Sequence, residues 1–451
     1  MRRKKFSIGL AAVSAIFTLT LLVSATQAAA QQEAVLHSFD TNCLPNCADG
    51  VAPVAGLILD ASGNLYGTTV VGGAGAGTVF ELIPALGGGS TEKILYNFTG
   101  GKDGSRPQAG LILDASGNLY GTTVNGGVNA CGCGTVFELT PTGGGSWKET
   151  VLHSFGKLKD GAHPYAGLIF DPAGHLYGTT QDGGGHGYGT VFEMTHALHG
   201  WTEKLLHSFN STLKGTDGFN PQAGLILDAS GNLYGTTSVG GSGTCAEQGG
   251  LFSCGTVFEL SPTATGSWKE KVLHSFGNDS EGSHPHASLI FDGAGNLYGT
   301  AWEGGIINAN CGKWGCGAVF ELTPAGGGSW TEEVLYNFNG YAADGQNPQG
   351  SLIIGAAGIL YGTTESGGAA AGVNQGTVFE LMPAQGGNWT EKVLHSFTGP
   401  NNVNPALSDG AFPFAGLISD SAGNLYGTTA EGGPAGVCGG PGCGTVFEIT
   451  P

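Results

Sequence analysis

The tripeptide Leu-Tyr-Gly occurs seven times in this chain, with its tyrosine at Tyr66, Tyr120, Tyr177, Tyr234, Tyr298, Tyr361 and Tyr426. The spacings are 54, 57, 57, 64, 63 and 65 residues. Periods of that length belong to blades and arrays and are too long for a coil of a β-helix. Each period carries four strand-like segments. In the second they are GLILD at 110–114, LYGTT at 119–123, GTVFEL at 134–139 and ETVLHSF at 149–155. The first two flank Asp114-Ala-Ser-Gly-Asn118, the residue chemistry of a tight hairpin. Four short antiparallel strands per repeat make a propeller blade.

The ends of the chain decide how the blades are arranged. GTVFEITP at 444–451 supplies a third strand with no fourth, whereas EAVLHSF at 33–39 supplies a fourth strand with nothing before it. A closed ring accounts for this division, because pairing first with last removes two exposed edges. The expectation is one all-β domain over 33–451, a seven-bladed β-propeller with four antiparallel strands per blade. Its blades fall at about 55–98, 109–155, 166–209, 223–276, 287–338, 350–397 and 415–451, and residues 33–39 complete the last. Five fourth strands carry His-Ser, and two change jointly to Tyr96-Asn97 and Tyr336-Asn337, which points to a shared bonding task. Seven recurrent glutamates (Glu81, Glu138, Glu193, Glu259, Glu321, Glu380, Glu448) are expected to make blade-to-blade hydrogen bonds, since one reaction does not need seven identical sites.

Residues 1–30 read as a signal peptide: Arg2 to Lys5 are basic, Ile8 to Val23 is apolar, and Ala28 to Ala30 offer a small-residue cleavage site. Their removal takes four of 16 Lys and Arg and none of 35 Asp and Glu, leaving a net charge of −23. Such a chain repels nucleic acid and anionic membranes. Ten cysteines fall as five close pairs, Cys43/Cys47, Cys131/Cys133, Cys245/Cys254, Cys311/Cys316 and Cys438/Cys443. In an exported chain these read as disulfides, with the tight Cys131/Cys133 ring open to remaining reduced. A secreted, extracellular or periplasmic monomer follows, without a membrane span once the signal is gone.

The signature D-x-x-G-N-L-Y-G-T-T, followed by G-T-V-F-E-L and W-x-E-x-V-L-H-S-F, resembles the GloVer tandem repeat of exported bacterial proteins, the choice-of-anchor group. Its first hairpin is also similar to that of NHL-type and regulator-type propellers. The resemblance spans 33–451, with departures at Ala301 and at Gly355-Ala-Ala-Gly-Ile. It implies the propeller and export, and, with no C-terminal anchor here, release. It implies no activity.

Function therefore has to sit where the repeats differ. The second-to-third-strand loops vary in length, and with the blade-to-blade crossovers they share one face, the expected binding face. Each crossover carries an acid before a proline: Asp49, Asp103, Asp160, Asp217, Glu281, Asp344 and Asp409. These acids either cap their own turns or form an acidic ring for calcium; no other cofactor is implied. Side chains flanking the prolines converge on the channel mouth. The ligand-binding candidates are Arg106, His163, Tyr165, Asn220, His284, His286 and Asn347, alongside Gln108, Gln222, Gln349, Phe412 and Phe414. Trp302 and Trp314 fall outside the fourth-strand tryptophan pattern and offer faces for sugar stacking. No nucleophile elbow, zincin, P-loop or dinucleotide motif is present. The chain reads as a binding module for polysaccharide, cell-surface glycan or a surface protein. A carbohydrate-active lyase or hydrolase and a structural or adhesive role are the alternatives.

Overall fold

The structure, a computed structural model, describes residues 32–39, 48–85, 89–156, 160–198, 200–210, 217–243, 245, 254–277, 280–340, 344–368, 374–399, 408–433 and 442–450. The expected signal peptide lies outside them. Among the described residues no helix is long and apolar enough to cross a membrane.

Seven four-stranded antiparallel sheets form the blades. In blade one the strands are Ile58–Leu59, Leu65–Thr69, Thr78–Pro84 and Ser90–Asn97. Blade seven is built from Ile418–Ser419, Leu425–Thr429 and Thr445–Thr450, and its fourth strand is Gln32–Ser38 from the other end of the chain. The ring is thus closed as its termini imply.

Packing lies between blades rather than at a common centre, in seven apolar clusters each shared by two neighbours. The phenylalanine ending each fourth strand meets, edge to face, the phenylalanine of the next blade's third strand. Phe98–Phe137 and, across the seam, Phe39–Phe80 both have ring centroids 5.1 Å apart. Fourth-strand tryptophans pack on the preceding blade's Leu-Tyr-Gly tyrosine, as Trp201 does on Tyr120 at 6.2 Å. The glycine of that tripeptide leaves room for phenylalanine: a Cβ on Gly121 would come within 2.6 Å of the Phe137 ring.

Hydroxyls complete the frame. The first threonine of each L-Y-G-T-T donates to a backbone carbonyl at the start of the next blade, from Thr68 to Ala109 at 3.2 Å round to Thr428 and Ala55 at 2.9 Å. The second threonine bonds a third-strand threonine in six blades, as in Thr69–Thr78 at 2.8 Å. In blade five Ala301 stands opposite Ala318, so both hydroxyls of the pair are absent together and neither is left unpaired. Blade six replaces the Asp-based hairpin with a 3-10 turn, Ala356–Gly358, holding Ala357 at φ 57°. The recurrent glutamates bond within their own blade, not to the neighbour as expected. Tyr66 Oη donates to Glu81 Oε1 at 3.0 Å, and Tyr120 Oη to Glu138 at 2.9 Å, because adjacent antiparallel strands place each pair directly opposite.

Two outcomes test this frame. Deleting residues 31–40 removes the seventh blade's outer strand and should sharply lower the melting temperature; a wild-type melt would contradict ring closure. Thr69→Ala strands the Thr78 hydroxyl and should destabilise by about 1–3 kcal/mol. Adding Thr78→Ala recreates the blade-five pair and should recover part of that loss in urea unfolding.

Candidate functional site at the channel mouth

Each crossover approaches the axis through the pattern acid-Gly-x-x-Pro. The residues after the acid pair with the segment just past the second strand, singly as in Ser105↔Asn125 or as a short ladder, Gly345–Gln346 with Ser366–Gly367. The glycine is obligatory, because a Cβ on Gly104 would collide with the Thr123 side chain.

The residue before each proline (Ala52, Arg106, His163, Asn220, His284, Asn347, Phe412) adopts a φ between 54 and 58°. This region is disfavoured for non-glycine residues and foreign to the residue before proline. Two backbone bonds impose it. The N–H of His284 donates to Cys254 O of the preceding blade at 2.8 Å, while its carbonyl accepts from Trp302 N of its own blade at 3.3 Å. The same pair of bonds recurs at Arg106, His163 and Asn347, with Ala76, Cys133 and Cys316 as the accepting carbonyls. Each strained residue is therefore a rivet between two blades.

The residue after each proline does line the channel. Val54, Gln108, Tyr165, Gln222, His286, Gln349 and Phe414, one per blade, surround a cavity of about 350 Å³. Of the ligand-binding candidates, Tyr165 and His286 are in this ring. Arg106, His163, Asn220, His284 and Asn347 occupy the rivet positions. There His163 Nδ1 lies 3.1 Å from Asp182 Oδ2, His284 Nδ1 lies 3.4 Å from Glu303 Oε2, and Arg106 is exposed.

The mouth has two unlike sectors. On one side the Phe412 and Phe414 rings stack, centroids 6.4 Å apart, beside Val54. On the other, the His286 imidazole stacks on Trp302 at 5.3 Å and an interplanar angle of 21°. Trp302 Nε1 donates to Glu365 Oε2 at 3.0 Å, Gln349 Nε2 donates to the same oxygen at 2.6 Å, and Asn347 Nδ2 holds the Trp302 carbonyl at 3.0 Å. Burial, reinforced by His284, pushes the His286 pKa down to about 4, so the ring is neutral at pH 7. Glu365 is absent from the sequence-based candidates. It occupies the position just after the L-Y-G-T-T frame, which reads Val70, Val124, Gln181, Ser238, Trp302, Glu365 and Ala430. That variability inside an otherwise constant string is the signal that marks it.

Disulfides buttress the loops behind the rivets. Cys131–Cys133, Cys245–Cys254 and Cys311–Cys316 are bridged, with Cα separations of 5.2, 5.6 and 4.9 Å. The Cys131/Cys133 ring is thus closed rather than reduced. Cys443 is disulfide-bonded too, and Cys438 lies outside the described residues. The expected bridge between Cys43 and Cys47 lies outside the described residues. Trp314 sits in the Cys311–Cys316 loop, exposed beneath Lys313 Nζ at 4.3 Å, and is not part of the cavity wall.

The crossover acids are also outside the cavity wall and lie beside the fourth strands. A β-bulge in every third-to-fourth-strand pair turns the strand-four His or Tyr toward them. His153 Nε2 is 3.2 Å from Asp160 Oδ2, and Tyr96 Oη donates to Asp103 at 3.2 Å, which explains why the two residue types interchange. Asp103 also accepts from Thr99 N, and Asp409 from Thr398 N, each at 2.8 Å, so these acids cap the crossover turns. A glutamate of the next blade's fourth strand completes each cluster: Glu149 beside Asp103, Glu203 beside Asp160, Glu270 beside Asp217, Glu332 beside Glu281 and Glu391 beside Asp344. Burial, then the adjoining acid, raises the first four to about 7 and Glu391 to about 8.

Residues 9–247 and 243–451 match the Gloeobacter/Verrucomicrobia repeat, and the chain belongs to that family. No curated protein matches it. Among solved structures it is similar to a Thermus thermophilus protein described as a candidate oxidoreductase (glucose dehydrogenase), at 15% identity and TM-score 0.41, covering 76% of this chain and 96% of that one. A candidate 6-phosphogluconolactonase from Bacteroides uniformis matches at 13% identity and TM-score 0.44, over 84% and 89%. A luciferin-regenerating enzyme matches at 14% and 0.38, over 76% and 90%. Likenesses at this level carry no argument about activity.

The raised glutamates give stability a pH dependence. Between the ordinary carboxyl range and about pH 8 the folded state holds protons that the unfolded chain has released, so stability falls as pH rises through that window. The melting temperature should be higher at pH 6.5 than at pH 8.5. Around Glu391 the facing groups are Asp344 and the Tyr336 hydroxyl, and among the described residues no cation offsets its charge. Glu391→Gln should therefore raise the melting temperature at pH 8.5 and flatten the profile. Destabilisation by this variant at pH 8.5 would refute the assignment.

Proposed function

We propose that the protein is a non-catalytic, exported binding propeller that takes the end of a neutral glycan into its channel mouth. The observation that carries this is the convergence of seven post-proline side chains of five types on one cavity, with an aromatic sector adjoining a hydrogen-bonding one. Sugars present the same duality, apolar C–H faces and hydroxyl edges. A volume near 350 Å³ suits one or two sugar units, at the low end of the small-ligand range of about 300–1,000 Å³. The excess of acid over base across the chain disfavours anionic glycans.

Binding is favoured over hydrolysis by the acid inventory of the mouth. Glycosidases of the common types set two carboxyl groups about 5–10 Å apart across the bond they break. Among the described residues lining the cavity there is no carboxylate, and Glu365 stands behind the ring, held by Trp302 and Gln349. The bridged loops fit an oxidising compartment, in keeping with export.

Pull-down on insoluble neutral polysaccharides, with the supernatants assayed for released sugar, tests this reading. Retention without release is expected. Glu365→Gln and Trp302→Ala, which remove the supports that orient Gln349 and His286 in the wall, should each weaken retention measurably without abolishing it. Released sugar would establish the enzyme reading instead, and no retention on any glycan would leave a surface protein or a structural role.

A further inference from the structure

We propose that His37, Asp49 and Glu92 form a divalent-metal site, suited to zinc, that ties the N-terminal strand to blade one at the seam of the ring. The three residues come from separate parts of the closure. His37 lies in the strand Gln32–Ser38 that completes blade seven, Asp49 in the crossover that follows, and Glu92 in the fourth strand of blade one. One ligand atom from each lies within 4.8 Å of the other two, and among the described residues no other trio of His, Cys, Asp or Glu comes as close. Of the seven crossover acids considered above for a cation, Asp49 alone belongs to such a group among the described residues.

A second observation concerns unmet bonding capacity. Among the described residues His37 Nε2 and Asp49 Oδ1 are both buried and lack a hydrogen-bond partner, as His207 Nε2 and Asp217 Oδ1 do, but only the first pair has a third ligand within reach. His37 Nε2 stands 3.7 Å from Asp49 Oδ2, the longest of the five strand-four histidine–acid distances among the described residues, the others being 3.1, 3.2, 3.3 and 3.6 Å. The bulge and the edge contact with Phe39, 4.8 Å between centroids, fix the imidazole in place. A buried imidazole nitrogen and a buried carboxylate oxygen without partners among the described residues are groups that a cation would satisfy, the nitrogen in its deprotonated tautomer.

The donor set selects the metal. One imidazole with two carboxylates suits zinc, which accepts three protein ligands and a water, whereas calcium takes six to eight oxygens. Zinc–ligand distances of about 2.0–2.2 Å place tetrahedral ligands about 3.4 Å apart, so the trio closes by side-chain rotations of roughly 1 Å. Bound there, the ion would offset two clustered carboxylates and staple the one strand that joins the ring without a chain connection to its blade.

The test uses untagged protein stripped with EDTA, titrated with zinc chloride by calorimetry and followed by thermal melts. One equivalent of zinc should bind, raising the melting temperature by about 3 °C at a hundredfold excess over Kd. His37→Gln and Glu92→Gln should each weaken binding at least tenfold and abolish the shift, and calcium at equal concentration should not reproduce it. Glu149→Gln, at the interface where Tyr96 replaces histidine, should leave zinc binding intact. Stripped variants that melt cooperatively show that the fold survives. If only one of the two ligand variants folds, it carries the test. Absence of zinc binding, unchanged affinity in both ligand variants, or an equal response to calcium would overturn the proposal.

Discussion

Seven threonine hydroxyls hold the ring together near its axis. Each donates from the second strand of one blade to a carbonyl at the start of the next, and the circle is complete because Thr428 reaches Ala55. These bonds are buried, so breaking one leaves a carbonyl or hydroxyl unsatisfied rather than returned to water. They set the blade-to-blade distance at which the phenylalanine pairs interlock and the crossovers meet. The channel mouth inherits its geometry from them: the post-proline residue follows a rivet bonded to two blades at once, so its position is fixed by the frame whatever its side chain.

That independence separates two kinds of information in the chain. Leu-Tyr-Gly, the phenylalanines and the unequal termini are constrained by contacts repeated at every interface, so repetition makes blade number, strand number and closure legible. The Ala301 departure was legible as a deviation, but its explanation, the matching Ala318, requires the strand register. The recurrent glutamates were assigned to the right kind of role with the wrong partner. Spacing along the chain does not distinguish a residue opposite on the adjoining strand from one across a blade interface.

The mouth was only partly readable. The residues flanking each proline were visible as a variable set, but the set mixes two positions with different fates. A positive φ, forced on the first by backbone bonds to two different blades, could not be read from residue types as unlike as arginine, asparagine and phenylalanine. Glu365 was missed because it follows the L-Y-G-T-T frame instead of the proline. The fourth-strand glutamates escape a reading of the sequence for a related reason: the burial that chiefly raises them, and the acids that add to it, come from contact with the preceding blade's crossover.

Closure by the N-terminal strand also has a consequence in time. The first strand of the ring to be synthesised is the last to find its partner, because Thr445–Thr450 lies at the far end of the chain. Until then Gln32–Ser38 and the third strand of blade seven are two complementary open edges, and the entropy of joining them grows only slowly with the length between. Two nascent chains meeting in that interval present each other with the same complementary edges. Exchange of N-terminal strands between copies is therefore the assembly error built into this topology, and high local concentration favours it.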